Sequence, residues 1–329
     1  MFRSVLLLTL GLLNSLWCAA QADCNPSPID NTKVVARGPI KTVVGPLAAF
    51  DPCHKSAKLD TPTFFAKKRG DKPPLVIIAH GGGGLGGYER DFAKLMNQNG
   101  YATLIFDAFE MNGLVPGSDL LIYQMSNGGR QRMIYKVTEG AYKWALNNEK
   151  IDTRKIFFQG LSNGASVSIN MAASADSAHV RGVVAEGGPS AGIGFPNDIK
   201  IPLLLIYGSA DNYGGVQQDD LMYLRGNPCS YNDHYPRAPA GFSETCNWAV
   251  NKTDSMPSPY AWYQQIKANG GVIQFELIPG GGHGMLFSEF NASIRVLENG
   301  RSFYRAHGVN AEARQRLQQM VLEFFESKL

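Results

Sequence analysis

A series of strand-length runs dominated by apolar residues, alternating with helix-period segments, limits this chain more than any other feature. The runs are Leu75 to Ala79, Ala102 to Phe106, Ile156 to Gln159, Val180 to Ala185, Ile201 to Tyr207 and Val272 to Ile278. A strand with one wet face alternates apolar with polar residues. Continuous apolar runs instead require cover on both faces, which is the signature of a parallel sheet. The segments between them carry helical spacing, as in 130–147, where Met133, Ile134, Val137, Ala141 and Trp144 share a face. Residues 88–98, 164–174 and 311–328 read as further helices, the last with Leu317, Val321, Phe324 and Phe325 on one side. The expected fold is therefore α/β, a mostly parallel sheet with helices on both faces. In such sheets ligands bind beyond the carboxyl ends of the strands, so chemistry is to be sought in the loops that follow them.

The first residues stand apart from this rhythm. Arg3, an apolar stretch from Val5 to Leu13, and the small residues Ala20–Gln21–Ala22 make residues 1–22 a signal peptide, with cleavage before Asp23. The apolar run is shorter than the ~18 residues a spanning helix needs, so no stable membrane span is expected. The expected location is secreted or periplasmic. Removing the leader takes Cys18 and leaves Cys24, Cys53, Cys229 and Cys246. Outside the cytoplasm these form disulfides, and of the ~3 possible connectivities the local one, Cys24–Cys53 with Cys229–Cys246, is favoured. No C-x-x-C pair points to zinc. Residues 23–73 form an N-terminal extension with early strands near 33–36 and 40–45. The α/β domain then runs over 74–329, interrupted at about 212–260 by a cysteine-bearing insertion too long for a plain connection. A net charge of +3 is too small to make nucleic acid a partner.

Gly160–Leu161–Ser162–Asn163–Gly164 carries the strongest chemical signal. It is G-x-S-x-G between a strand and a helix. A sharp turn there pushes the serine side chain out of the sheet, and the small flanking residues let strand and helix approach. A serine hydroxyl needs a base. His283, in Pro279–Gly280–Gly281–Gly282–His283–Gly284 after the last strand, is the candidate. A carboxylate must hold its tautomer. Asp211, after the strand ending at Tyr207, is preferred, with Glu186 at the end of 180–185 as its competitor. The chain order Ser, Asp, His is that of the α/β-hydrolase fold. The oxyanion donors are expected to be the backbone N–H groups of Asn163 and Gly82. Gly82 lies in His80–Gly81–Gly82–Gly83–Gly84, with Gly81 and Gly83 as neighbouring alternatives. His80 reads as a brace for this loop.

The same glycine loop matches another pattern, Gly81-x-Gly83-x-x-Gly86 with Asp107 ending the next strand, a dinucleotide fingerprint. An exported protein and an unexplained Ser, Asp and His weigh against it. Taken together, the H-x-x-x-G-L loop at His80 to Leu85, Gly100–Tyr101–Ala102 to Asp107, the elbow at 160–164, Asp211 and Gly282–His283–Gly284 resemble the dienelactone hydrolase family of α/β-hydrolases, over Leu75 to Leu329. The founding members use a cysteine nucleophile where this chain has Ser162. The resemblance implies a serine hydrolase acting on carboxylic esters or lactones, small or polymer-linked, with no metal and no cofactor. A peptidase or lipase on the same fold, or a non-catalytic binding protein, is the alternative. Tyr213, Tyr231, Phe242 and Trp248 in the insertion are candidates to line its pocket.

Overall fold

The computed structural model describes residues 34–37, 40–43, 46–63, 66–114, 127–188, 193, 195–211, 259–296 and 302–329. The expected leader, Cys24, Cys229, Cys246 and the aromatic residues of the insertion lie outside these, and so do the expectations attached to them.

A seven-stranded sheet organises the chain. Its strands are β3 (Lys58–Asp60), β4 (Leu75–Ala79), β5 (Ala102–Ile105), β6 (Ile156–Leu161), β7 (Val180–Glu186), β8 (Leu203–Gly208) and β9 (Ile273–Ile278). The order across the sheet is β3-β5-β4-β6-β7-β8-β9. β3 runs antiparallel to β5 at one edge, and every other pairing is parallel. Two small antiparallel pairs stand apart, β1 (Val34–Arg37) with β2 (Ile40–Val43), and β10 (Asn291–Val296) with β11 (Ser302–His307).

The apolar runs behave as expected for a doubly covered sheet. All five residues of β4 are buried. Leu75, Ile77 and Ala79 face one core and Val76 and Ile78 the other, because successive side chains of a strand point to opposite faces. The first core is closed by α3 (Asn127–Ala145), α4 (Asn163–Ser174) and α5 (Pro259–Ala268) through residues such as Met133, Val137, Val167, Ile169 and Trp262. The second is closed by α1 (Gly87–Gln98) and α6 (Ala311–Glu326) through Phe92, Met96, Leu317, Val321 and Phe325. A short α2 (Ala108–Met111) is capped by Asp107, whose carboxylate accepts the N–H groups of Phe109 and Glu110. No helix among the described residues is long and apolar enough to cross a membrane.

β3, α2 and the β10–β11 pair have no counterpart in the sequence reading. β3 is three residues long and pairs with β5 more than 40 residues on, α2 is a single turn capped by Asp107, and β10 and β11 form a polar hairpin with each other. The order of the sheet has the larger consequence. β5 lies to one side of β4 and β6 to the other. All three strands run parallel, and it is the order of adding strands that reverses at β4; that switch point brings the loop after β4 beside the turn after β6.

Candidate active site

Five loops meet at the carboxyl edge of the sheet. In order across it they follow β4, β6, β7, β8 and β9. They carry, in turn, His80 to Leu85, Ser162, Glu186 with Gly187, Asp211 and His283.

Ser162 sits at the turn from β6 into α4. Among the described residues it alone, of those other than glycine, has a positive φ, 58°, with ψ −117°. That conformation is costly for a residue with a Cβ and persists only when its surroundings over-determine it. Here they do. The Ser162 N–H donates to the Glu186 carbonyl at 2.9 Å, and the Ser162 carbonyl accepts from Ser166 N–H at 3.2 Å. The turn therefore presents the side chain above the sheet, at the N-terminus of α4, where developing negative charge is favoured.

His283 and Asp211 are brought together. His283 Nδ1 lies 2.9 Å from Asp211 Oδ2, across 72 residues of sequence, and both residues are buried. An ionised carboxylate only accepts, so Nδ1 carries the proton and Nε2 is left as the basic nitrogen. Both loops are tightly held. Ala210 N–H donates to the Gly281 carbonyl at 2.8 Å, Ser209 N–H to the Ile278 carbonyl at 3.0 Å, and His283 N–H to the Ala306 carbonyl at 2.8 Å. The last bond anchors the histidine loop to the end of β11 and leaves the His307 ring 6.3 Å from that of His283. Beneath the pair lies Gly187, at φ 61°; a Cβ there would stand 2.8 Å from the His283 ring and 3.1 Å from Asp211 Oδ2. Only glycine allows the end of β7 to pass this close.

The loop after β4 packs onto the elbow. Glu89, buried on α1, accepts the N–H of Gly81 at 3.1 Å with one oxygen and that of Gly86 at 2.8 Å with the other. Gly81 N–H is thus already used, which counts against it as the alternative to Gly82. His80 braces the loop as expected. Its Nε2 accepts Ala108 N–H at 2.9 Å, so Nδ1 is the protonated nitrogen, and Nδ1 lies 2.7 Å from the Gly81 carbonyl. Asp107, which ends the strand in the dinucleotide-like pattern, accepts Leu85 N–H at 2.8 Å and caps α2.

Asn163 follows the serine and is buried. Its amide orientation follows from a backbone donor. Ile193 N–H donates to Gln131 Oε1 at 2.8 Å, so Gln131 Nε2 is the end that donates to Asn163 Oδ1, at 3.1 Å, and to Ser166 Oγ, at 3.1 Å. Asn163 Nδ2 is thereby turned toward Gly82, 2.7 Å from where a Cβ on that glycine would stand.

Glu186, the competitor for the acidic role, is fully buried at the end of β7. Its carboxylate accepts from Tyr88 Oη and from Met285 N–H, and Gln159 Nε2 in turn donates to Tyr88 Oη at 3.2 Å. Burial raises its pKa from 4.5 to about 6, against the pull of those donors and of His283, with Asp211 pushing the same way as burial. Burial, then the Glu186 charge, also raises Tyr88 well above its usual value. A raised carboxylate pKa favours the folded state below pH 4.5, and that contribution is lost as pH rises through about 6. At ~1.4 kcal/mol per pKa unit the loss is on the order of 2 kcal/mol. Urea denaturation of the wild type and Glu186→Gln at pH 4.5 and pH 7.5 is expected to show the variant gaining about that much relative to the wild type at the higher pH. Parallel stabilities at the two pH values would mean that this carboxylate is not held up.

Glu89, Gln131 and Tyr88 were not singled out from sequence. Glu89 had a signal, since it stands three residues after Gly86, at the position that closes a capping box. Gln131 and Tyr88 had none.

Neither a protein-family model nor a curated protein matches the chain. Solved structures do. One described as m3DLH is 12% identical, with a TM-score of 0.50, over 83% of this chain and 99% of its own. A dienelactone hydrolase from Anabaena variabilis is 19% identical, with a TM-score of 0.49, over 83% of this chain and 91% of its own. An acylaminoacyl peptidase from Pyrococcus horikoshii is 17% identical, with a TM-score of 0.49, over 83% of this chain but 39% of its own. With a mostly parallel seven-stranded sheet covered by helices and this likeness to solved structures, the chain has the α/β-hydrolase fold.

Proposed function

We propose that this protein is an exported serine hydrolase that cleaves carboxylic esters or lactones through an acyl-enzyme. The observation that supports this best is the buried His283–Asp211 hydrogen bond of 2.9 Å at the same sheet edge as the strained Ser162 turn. In this reading Ser162 Oγ attacks the substrate carbonyl carbon and its proton passes to His283 Nε2. Asp211 keeps the histidine in the required tautomer and steadies its imidazolium form. The oxyanion is held by the N–H groups of Gly82 and Asn163, aided by the α4 N-terminus. The C–O bond then breaks, and His283 returns the proton to the leaving alcohol. Water activated by the same histidine releases the acid and restores the serine. Export, and the disulfides Cys24–Cys53 and Cys229–Cys246, belong to the same proposal and rest on the leader-like first residues.

A fluorophosphonate that phosphonylates activated serines tests the reading. Intact mass is expected to rise by a single adduct, peptide mapping is expected to place it on Ser162, and Ser162→Ala is expected to take none. A folded wild-type protein that takes no adduct, or takes it elsewhere, would overturn the assignment. A panel of esters, lactones and peptides then separates esterase from peptidase.

A further inference from the structure

One residue touches both halves of the site without belonging to either. Glu186 ends β7, between the strand that leads to Ser162 and the strand that leads to Asp211. Its main-chain carbonyl accepts the N–H of Ser162 at 2.9 Å. Its side-chain Oε1 accepts the N–H of Met285, two residues beyond His283 and 99 residues from Glu186 itself. Its Oε2 accepts from Tyr88 Oη on α1, 98 residues away in the other direction. The serine turn, the histidine loop and the helix behind the glycine loop are therefore fastened to one side chain and its own peptide.

We propose that Glu186 is a positioning residue that holds the histidine loop against the serine turn, and whose negative charge favours the protonated form of His283. This rests on reading Ser162, His283 and Asp211 as the catalytic set. A fully buried carboxylate with two donors could serve packing alone, and a neutral amide of the same shape would then serve equally well. The charge distinguishes the two roles. His283 must become an imidazolium as the tetrahedral intermediate forms, and Asp211 faces its Nδ1. The groups facing Glu186 are Tyr88, with Glu89 beyond it, from α1, Asp211 from the loop after β8 and His283 from the loop after β9. Of these only His283 can acquire positive charge, and the other titratable ring against it is His307 of β11, 6.3 Å away. A second carboxylate on this face therefore acts on the imidazolium, and the Met285 bond keeps the loop from drifting as that charge forms.

The test uses the full chain and Glu186→Gln. Glutamine can still accept from Met285 N–H through Oε1, so the hydrogen bond survives and the charge does not. The His283 ring titration is followed by NMR, with His283→Gln to assign the signal. The pH dependence of kcat/KM is measured on an ester the wild type hydrolyses. In the variant, His283 is expected to titrate about 0.5–1 pH unit lower. The acidic limb is expected to move down with it. kcat on the plateau is expected to fall roughly tenfold with KM changed less than about twofold, as for an interaction made chiefly in the transition state. A folded variant whose His283 titration and acidic limb match the wild type overturns the proposal. If Glu186→Gln does not fold, Tyr88→Phe takes its place. Removing the hydroxyl donor makes Glu186 easier to neutralise, so the limb is again expected to move down, and an unmoved limb overturns the proposal. Fluorophosphonate labelling of the wild type keeps the two readings apart. An unlabelled Ser162 would remove the catalytic reading, while the His283 titration would still decide whether the two side chains are coupled.

Discussion

Asp211→Asn is expected to lower kcat on ester substrates by about 10³–10⁴-fold while leaving fold and substrate binding nearly intact. Asparagine has the size of aspartate, so the loop after β8 keeps its bonds to the Gly281 and Gly208 carbonyls. What changes is the proton. The carboxylate can only accept from His283 Nδ1, 2.9 Å away. An asparagine amide can turn its NH₂ toward that nitrogen, which then holds a lone pair while Nε2 carries the hydrogen. The base would then face the serine in the wrong tautomer, and the imidazolium would lose its nearest counter-charge. Initial rates at saturating substrate, with circular dichroism as the fold control, check this. Full activity in Asp211→Asn together with loss in Glu186→Gln would transfer the acidic role to Glu186.

Gly164→Ala is expected to destabilise the protein by about 3 kcal/mol or more, with thermal unfolding shifted down by several degrees or the chain recovered as insoluble material. A Cβ at this position would stand 2.0 Å from the Ala79 carbonyl oxygen and 2.7 Å from the His80 carbonyl oxygen. Both are main-chain atoms, so no side chain can rotate out of the way. α4 would have to lift off β4, and with it the serine turn from the glycine loop. The measurement is a circular dichroism melt of the variant beside the wild type. An unchanged midpoint would contradict so close an approach of helix and strand.

The two substitutions read different levels of the same design. In the proposed mechanism Asp211 matters for where a proton sits, and Asp211→Asn keeps its size. Gly164 matters because strand and helix pass within contact distance, and its loss is a loss of packing first. The pH-dependent cost of Glu186 lies between them. A buried carboxylate raised to about 6 makes the fold weaker at neutral pH than at pH 4.5.

Local rules acting over a few residues determined much of this protein. The apolar runs that became β4, β5, β6 and β8 are legible because a strand buried on both faces has no polar alternative. The serine turn is legible because a reversal this sharp between strand and helix tolerates few residue types. The roles proposed for Asp211 and His283 were readable as loop positions after strands, in an order the fold imposes. Tertiary structure alone decided the partners. Gln131 on a helix and Tyr88 on another look, in sequence, like ordinary amphipathic positions. Their meaning comes from Asn163, 32 residues away, and Glu186, 98 residues away. Between Asp211 and Glu186 the sequence could rank but not decide, since each is a carboxylate ending a strand. The sheet order places β7 and β8 side by side, and a shift of one strand, about 5 Å, determines which carboxylate meets Nδ1 and which holds the loop. Hydrogen bonds are short and directional, so that distance carries the distinction, and no local pattern along the chain encodes it.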